Sequence, residues 1–231
     1  MPIKVIAFDA DDTLWVNEPF FREAEEKFAG LLEDFMPQHA IMKELYRTEI
    51  DNLKLYGYGI KGFMLSMIEA AMRISDNKMP LALVEKVINI GREMLEKPVD
   101  LLPGVEEVLQ ELNGDFRIVL ATKGDLLDQE RKLKKSGLER YFHHIEIMSE
   151  KRTSDFEKLI HHLDVDSSEF LMMGNSLKSD ILPVLELGGH AIHIPFHITW
   201  AHEQVSHEVK NDQFYSVKCI ADAAELIKTM K

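Results

Sequence analysis

The chain has 231 residues, of which 45% are hydrophobic and 29% charged, with a formal net charge of −13. That is ample material for the core of one domain or two unequal ones. The averaged potential repels phosphate, which argues against non-specific binding to nucleic acid or to an anionic membrane surface, so any phosphate site must be local.

In chain order, IKVIAFD (3–9) is apolar almost throughout and predicts a buried strand. Asp9, Asp11 and Asp12 follow at once, and three carboxylates within four positions repel one another unless a cation or a set of donors sits among them. In residues 17–36 the apolar Phe20, Ala24, Phe28, Leu31, Leu32 and Phe35 form a helical stripe that Pro37 stops. Three more helical segments are predicted over 39–55, 61–74 and 80–97, with no convincing strand among them. This stretch reads as a helical module over 16–97, inserted into a core made of 1–15 and 98–231. Residues 101–112 lead back into that core, with Pro103 and Gly104 at the junction. RIVLAT (117–122), HIEIMS (144–149), EFLMMG (169–174) and HAIHIP (190–195) then read as strands. The stretches 126–142, 154–164 and 177–189 between them have helical spacing, the last ending in the Gly188-Gly189 pair expected past a C-cap. The fold class expected is α/β: a doubly wound parallel sheet with an inserted all-helical domain and a site outside the carboxyl ends of the strands.

Four strand ends deliver polar residues to that edge. Asp9, Asp11 and Thr13 follow the first strand; Thr122, Lys123 and Gly124 follow RIVLA; Lys151 follows HIEIMS; Asn175, Ser176 and Asp180 follow EFLMMG. Each alone is explained by capping or solvation, but the four together are not. They suit phosphoryl transfer through a covalent aspartyl intermediate. A phosphate dianion repels a carboxylate nucleophile, so a divalent cation must bridge them, and Mg²⁺ prefers hard oxygen ligands completed by water. A second carboxylate two residues on can protonate the leaving oxygen and then activate water, while a hydroxyl and a lysine hold the other phosphoryl oxygens.

These residues resemble the motifs of the haloacid dehalogenase-like (HAD) superfamily of hydrolases. Asp9-Ala10-Asp11-Asp12-Thr13 matches its first motif, DxDxT; Thr122 stands for the second, Lys151 for the third and GNSLKSD (174–180) for the fourth. The insert between the first two motifs is similar to a C1-type helical cap. The resemblance implies that Asp9 is the nucleophile and a ligand of Mg²⁺. It makes Asp11 the general acid/base with its carbonyl on the metal, and has Thr122 and Lys151, with Lys123 alongside, bind the phosphoryl group. Thr13 would support the loop and Asp12 cap the turn. The fourth motif departs from the family, because Asn175 stands where Asp is common. An amide oxygen can ligate Mg²⁺ but adds no charge, and Asp180 is the other candidate for the direct bond. Lys158, on the following helix, is a weaker rival to Lys151.

The expected activity is a Mg²⁺-dependent phosphatase acting on a small phosphorylated metabolite. A 2-haloacid dehalogenase, a phosphomutase and a non-catalytic binding protein are the alternatives. Asp11 favours phosphate, because a halide leaves without a proton. Tyr58 and Lys61, in LKLYGYGIKGFMLSM, are candidate substrate contacts on the cap, whereas Tyr56 and Phe63 are expected to pack its core. A hinge is expected near 15–17 and 98–103. His202-Glu203 fails the HExxH zinc pattern because Ser206 stands where the second His belongs, so 195–208 reads as a polar loop. The run Glu130 to Lys135 reads as a solvated helix face. The lone Cys219, the lack of a signal-type N-terminus and the absence of any long uncharged apolar run place the chain in a reducing cytoplasm, with no membrane partner.

Overall fold

The computed structural model describes residues 2–230, which fall into two compact units. The first comprises Met1–Glu18, Val99–Lys123 and Gln129–Lys231, and the second Pro19–Pro98 with Gly124–Asp128. Among the described residues no helix is long and apolar enough to cross a membrane.

The first unit is built on β1 (Val5–Phe8), β2 (Arg117–Lys123), β3 (His144–Met148), β4 (Phe170–Gly174), β5 (His190–His193) and β6 (Phe214–Ser216). They form one parallel sheet in the order β3-β2-β1-β4-β5-β6. In this doubly wound order the strand sequence reverses between β1 and β4, and the crevice beyond their carboxyl ends is where such sheets bind ligands. The register sets Phe8 against Leu120 on one side and Met173 on the other, which brings Asp9, Thr122 and Asn175 to that edge together.

Alternation along the strands separates two cores. Ile6, Phe8, Ile118 and Leu120 face the helices Val105–Leu112 and Ile220–Thr229, whereas Val5, Ala7, Val119 and Phe170 face the helix Thr153–His162. With both faces covered, the strands can be apolar throughout, as they are. The second unit contains the helices Glu18–Leu31 (from Pro19 on), Gln38–Tyr56, Ile60–Ile74 and Leu81–Glu96, packed round Phe28, Leu32, Ile41, Leu45, Phe63 and Met67. Pro37 and Pro80 precede the second and fourth of these, in extended conformations that set the chain's entry into each helix. Numbered in chain order, these four are α1–α4, Val105–Leu112 is α5, Leu126–Ser136 α6, Thr153–His162 α7, Leu182–Glu186 α8 and Ile220–Thr229 α9.

Two expectations need correction, and two elements lie outside them. The helix predicted over 126–142 stops at Ser136, because Gly137 takes φ +72° and the chain turns through a separate 3₁₀ turn at Glu139–Tyr141. The segment 177–189 opens with a π-helical turn, Leu177–Ile181, before α8. Pro183 lies six residues in and has no N–H to give Ser179, so a widened turn accommodates it. Finally, β6 and α9 were not foreseen; Phe-Tyr-Ser is too short to show a period, and it is a strand because it pairs with Ala191–His193.

Phe156 and Phe170 are fully buried, with rings 6.5 Å apart edge to face, and fill the core under α7. Phe156→Ala should lower stability by about 3–5 kcal/mol in urea unfolding, through lost transfer energy and the cavity left behind.

Candidate active site

Asp9 leaves β1 with its N–H bonded to the Met173 carbonyl of β4, so the sheet itself aims it at the switch point. Lys151, just past β3, donates to Asp9 Oδ1 at 2.5 Å and to Asp180 Oδ1 at 2.7 Å, and its side chain is 1% exposed. Burial, with Asp180 and Asp11 nearby, pushes the Asp9 carboxyl up to about 7 against the pull of the Lys151 ammonium. Burial alone would lower Lys151, but the charges of Asp180 and Asp9 hold it well above its usual range, so the ammonium persists. Thr13 Oγ1 lies 3.1 Å from Asp9 Oδ2 and 3.4 Å from Asn175 Oδ1, and accepts from the Asn175 N–H at 3.0 Å. This hydroxyl therefore clips the β1 loop to the β4 loop.

Asp180 is fully engaged, Oδ1 by Lys151 and Oδ2 by the Ser176 N–H at 2.9 Å. Gly174 makes room for it, since a Cβ there would fall 2.2 Å from Asp180 Oδ2. Asn175 is fixed by Thr13 at its N–H and by His193 Nε2, 3.0 Å from its carbonyl oxygen. Asp12, at φ +61°, accepts from the N–H groups of Asn17 and Glu18 and so caps the start of α1. Thr122 is buried at the end of β2, level with Ile147 of β3.

Asp11 points to a different set of partners. Trp15 Nε1 donates to its Oδ1 at 2.7 Å, Lys132 Nζ to the same oxygen at 2.8 Å, and Gln129 Nε2 to Oδ2 at 2.9 Å. Burial would raise this carboxyl, but the Lys132 charge and these bonds hold it below the usual range. Two carboxylates two residues apart thus sit in opposite environments, Asp9 pushed towards its neutral form and Asp11 held ionised. Lys132 lies within the run read as a solvated face. Glu130, Lys134 and Lys135 are exposed, but Lys132 is only 15% exposed and turned inward to Asp11 and to Asn17 Oδ1.

Sequence reasoning also missed Glu203. It sits in a 3₁₀ turn, Ala201–Glu203, of the loop read as merely polar, yet its side chain is 11% exposed. Its Oε1 accepts from Lys123 Nζ at 2.5 Å, and its Oε2 from the hydroxyls of Ser176 and Ser179, each at 2.5 Å. Lys123 also donates to Ser179 Oγ at 2.8 Å. Against the effect of burial, Lys123 and the two hydroxyls hold Glu203 down to about 2. The one available signal was an acid among histidines, too common to single out. Tyr58 and Lys61 belong to the second unit, where Lys61 pairs with Asp125 at 2.8 Å. Tyr56 donates to Glu69 at 2.6 Å and Phe63 packs against Phe21. Lys158 is exposed, beside Asp155.

Among the described residues no group of three or more His, Cys, Asp or Glu side chains is arranged to hold a metal ion. The oxygen pair bracketing Thr13, the Asp9 carboxylate and the Asn175 amide, is nevertheless a hard donor set that fits Mg²⁺ in kind, with the shortfall in charged ligands left to carbonyl and water.

Two outcomes follow. Gly174→Ala should displace Asp180 and with it Lys151, lowering the thermal midpoint by several degrees in calorimetry. Glu203, with its folded pKa near 2 against 4.5 unperturbed, stabilises above about pH 4.5, and this contribution is lost as pH falls towards 2. The stability gap between wild type and Glu203→Gln in urea unfolding should close over that interval.

Against this geometry, comparison with known proteins is consistent. A model described as haloacid dehalogenase-like hydrolase matches residues 3–188. The pyrimidine 5'-nucleotidase YjjG of Escherichia coli is 26% identical over 195 residues, 79% of this chain and 82% of that protein. The glyceraldehyde 3-phosphate phosphatase of Methanopyrus kandleri is 24% identical over 185 residues, 78% of each. The crystal structure of a haloacid dehalogenase-like family hydrolase from Xanthomonas campestris superposes with a TM-score of 0.88 at 34% identity, covering 99% of this chain and 91% of that one. The chain belongs to the haloacid dehalogenase-like hydrolases.

Proposed function

We propose that the protein is a Mg²⁺-dependent phosphatase that hydrolyses a small phosphorylated metabolite through an aspartyl-phosphate on Asp9. The observation that carries this reading is the pairing of Asp9, held by Lys151 and Thr13 at the switch point, with Asp11, held separately by Lys132, Gln129 and Trp15. The phosphatase-named relatives support it.

In this reading the Asp9 carboxylate, the Asn175 amide oxygen and the Asp11 main-chain carbonyl would hold Mg²⁺, with Asp180 acting through Lys151 and the Ser176 N–H. Mg²⁺ bound there would supply positive charge that offsets the repulsion between the carboxylate and the phosphoryl dianion. Lys151 adds a fixed positive charge beside Asp9, and Thr122 holds a phosphoryl oxygen. Asp9 attacks phosphorus; the P–O ester bond breaks, its electron pair leaves on the ester oxygen, and that oxygen takes a proton from Asp11, which must first part from Lys132 and take up that proton from solvent. Asp11 then accepts a proton from water as the water oxygen attacks, releasing inorganic phosphate and restoring the Asp9 carboxylate.

The second unit is read as the C1-type cap, with Tyr58 and Lys61 as its candidate substrate contacts and hinges near 15–17 and 98–103. Lys123 is a weaker candidate than Thr122 and Lys151, because its ammonium is already taken by Glu203 and Ser179. A cytoplasmic location belongs to the same reading.

Hydrolysis of para-nitrophenyl phosphate tests it. Wild type should be active with Mg²⁺ and inactive in EDTA. Asp9→Asn should lose at least about 10³-fold and Asp11→Asn about 10²–10⁴-fold in kcat. Release of halide from a 2-haloacid in EDTA, with no phosphatase activity, would replace this reading with the dehalogenase one, which the uncharged Asn175 favours. If hydrolysis is confirmed, nucleotides and triose phosphates are the first substrates to screen, given the relatives.

A further inference from the structure

The loop after β5 sends one side chain back into the site. Glu203 spans the ammonium of Lys123, at the end of β2, and the hydroxyls of Ser176 and Ser179, which flank the turn between Asn175 and Asp180. We infer that Glu203 is a positioning residue and counter-charge: it takes up the charge of Lys123 beside the Asp9–Asn175 edge, and so sets the affinity of that edge for a divalent cation. The inference rests on the Mg²⁺-dependent reading given above.

Two observations carry it. The first is charge. The carboxylates bonded into this network, Asp9, Asp11, Asp180 and Glu203, outnumber its ammonium groups, Lys123, Lys132 and Lys151, by one. Asn175 contributes none, so without Glu203 the two signs would balance and the edge would lose its net attraction for a cation. The second is geometry. Lys123 donates to Ser179, the neighbour of Asp180 in the chain, so its ammonium stands close to the residues that frame the Asp9–Asn175 edge. An unneutralised positive charge there would repel a divalent ion, whereas paired with Glu203 it presents only a dipole. The same carboxylate fixes the backbone, since Ser176, whose hydroxyl it accepts, follows Asn175 directly and gives its own N–H to Asp180.

A purely structural tie would be broken by removing either end, whereas a counter-charge is dispensable once the charge it answers is gone. Mg²⁺ binding alone, measured by isothermal titration with the full chain, distinguishes the two. Glu203→Gln should weaken Mg²⁺ binding about tenfold, Lys123→Met should tighten it by a similar factor, and the double variant should return close to wild type. A double variant no better than Glu203→Gln, or single variants that bind as wild type does, would overturn the inference while leaving the phosphatase reading standing. If Glu203→Gln does not fold, Lys123→Met decides alone: unchanged or weaker binding overturns the inference. Wild type that binds no Mg²⁺ at millimolar concentration overturns the magnesium reading and this inference with it.

Discussion

Everything at the carboxyl edge of this sheet is organised round one buried ammonium. Lys151 lies between Asp9 and Asp180 with almost no access to water, so three charges have been taken out of solvent together. The desolvation cost of such a group is offset only when the geometry is close and the remaining lone pairs are filled. The surrounding residues meet that condition: Thr13 reaches Asp9, the Ser176 N–H takes the free oxygen of Asp180, and Gly174 leaves out the side chain that would push Asp180 away. The fourth-motif loop is therefore shaped by the lysine itself, and the position of Asp9 is set without any ion or substrate.

Around this centre the molecule uses its acidity selectively. A chain with a net charge of −13 would repel an anionic substrate, yet Lys123, Lys132 and Lys151 all converge on one edge of the sheet. Each ammonium is matched to at least one carboxylate. Lys151 steadies Asp9, Lys132 steadies Asp11, and Lys123 is held by Glu203. The contrast between the two aspartates of the first motif arises from these partners and from burial, not from the aspartates themselves.

Much of this was legible in the sequence, because strands buried on both faces are apolar without interruption and polar residues at their carboxyl ends stand out. Asp9, Thr122, Lys151 and Asn175 were readable for that reason, and the DxDxT spacing fixed the register of Asp9 and Asp11 on one loop. Lys132 and Gln129 were not readable. Helical spacing assigns a charged run to solvent unless a buried partner is known, and their partner lies on another element more than a hundred residues away. Glu203 escaped for a similar reason, as its loop has no periodicity and its three partners come from two different strand ends. The short strand β6 exists only through its pairing with β5, which no local pattern records.

The place of β1 in the sheet has a further consequence for how the protein is made. The strand that leads into Asp9 comes before the other five in chain order, yet it lies in the middle of the sheet, and its neighbours are residues 117–120 and 170–173. An apolar, β-prone segment must therefore wait unpaired while more than a hundred residues follow it, and it keeps one edge open until residues 170–173 are made. The four helices of the second unit are contiguous in the chain and can pack on one another in the meantime. The vectorial order of synthesis thus separates a locally folding insert from a core that closes late, when β4 reaches β1. Until then the segment that carries Asp9 has at least one open edge, and the interval before closure is when the nascent chain is most exposed to mispairing.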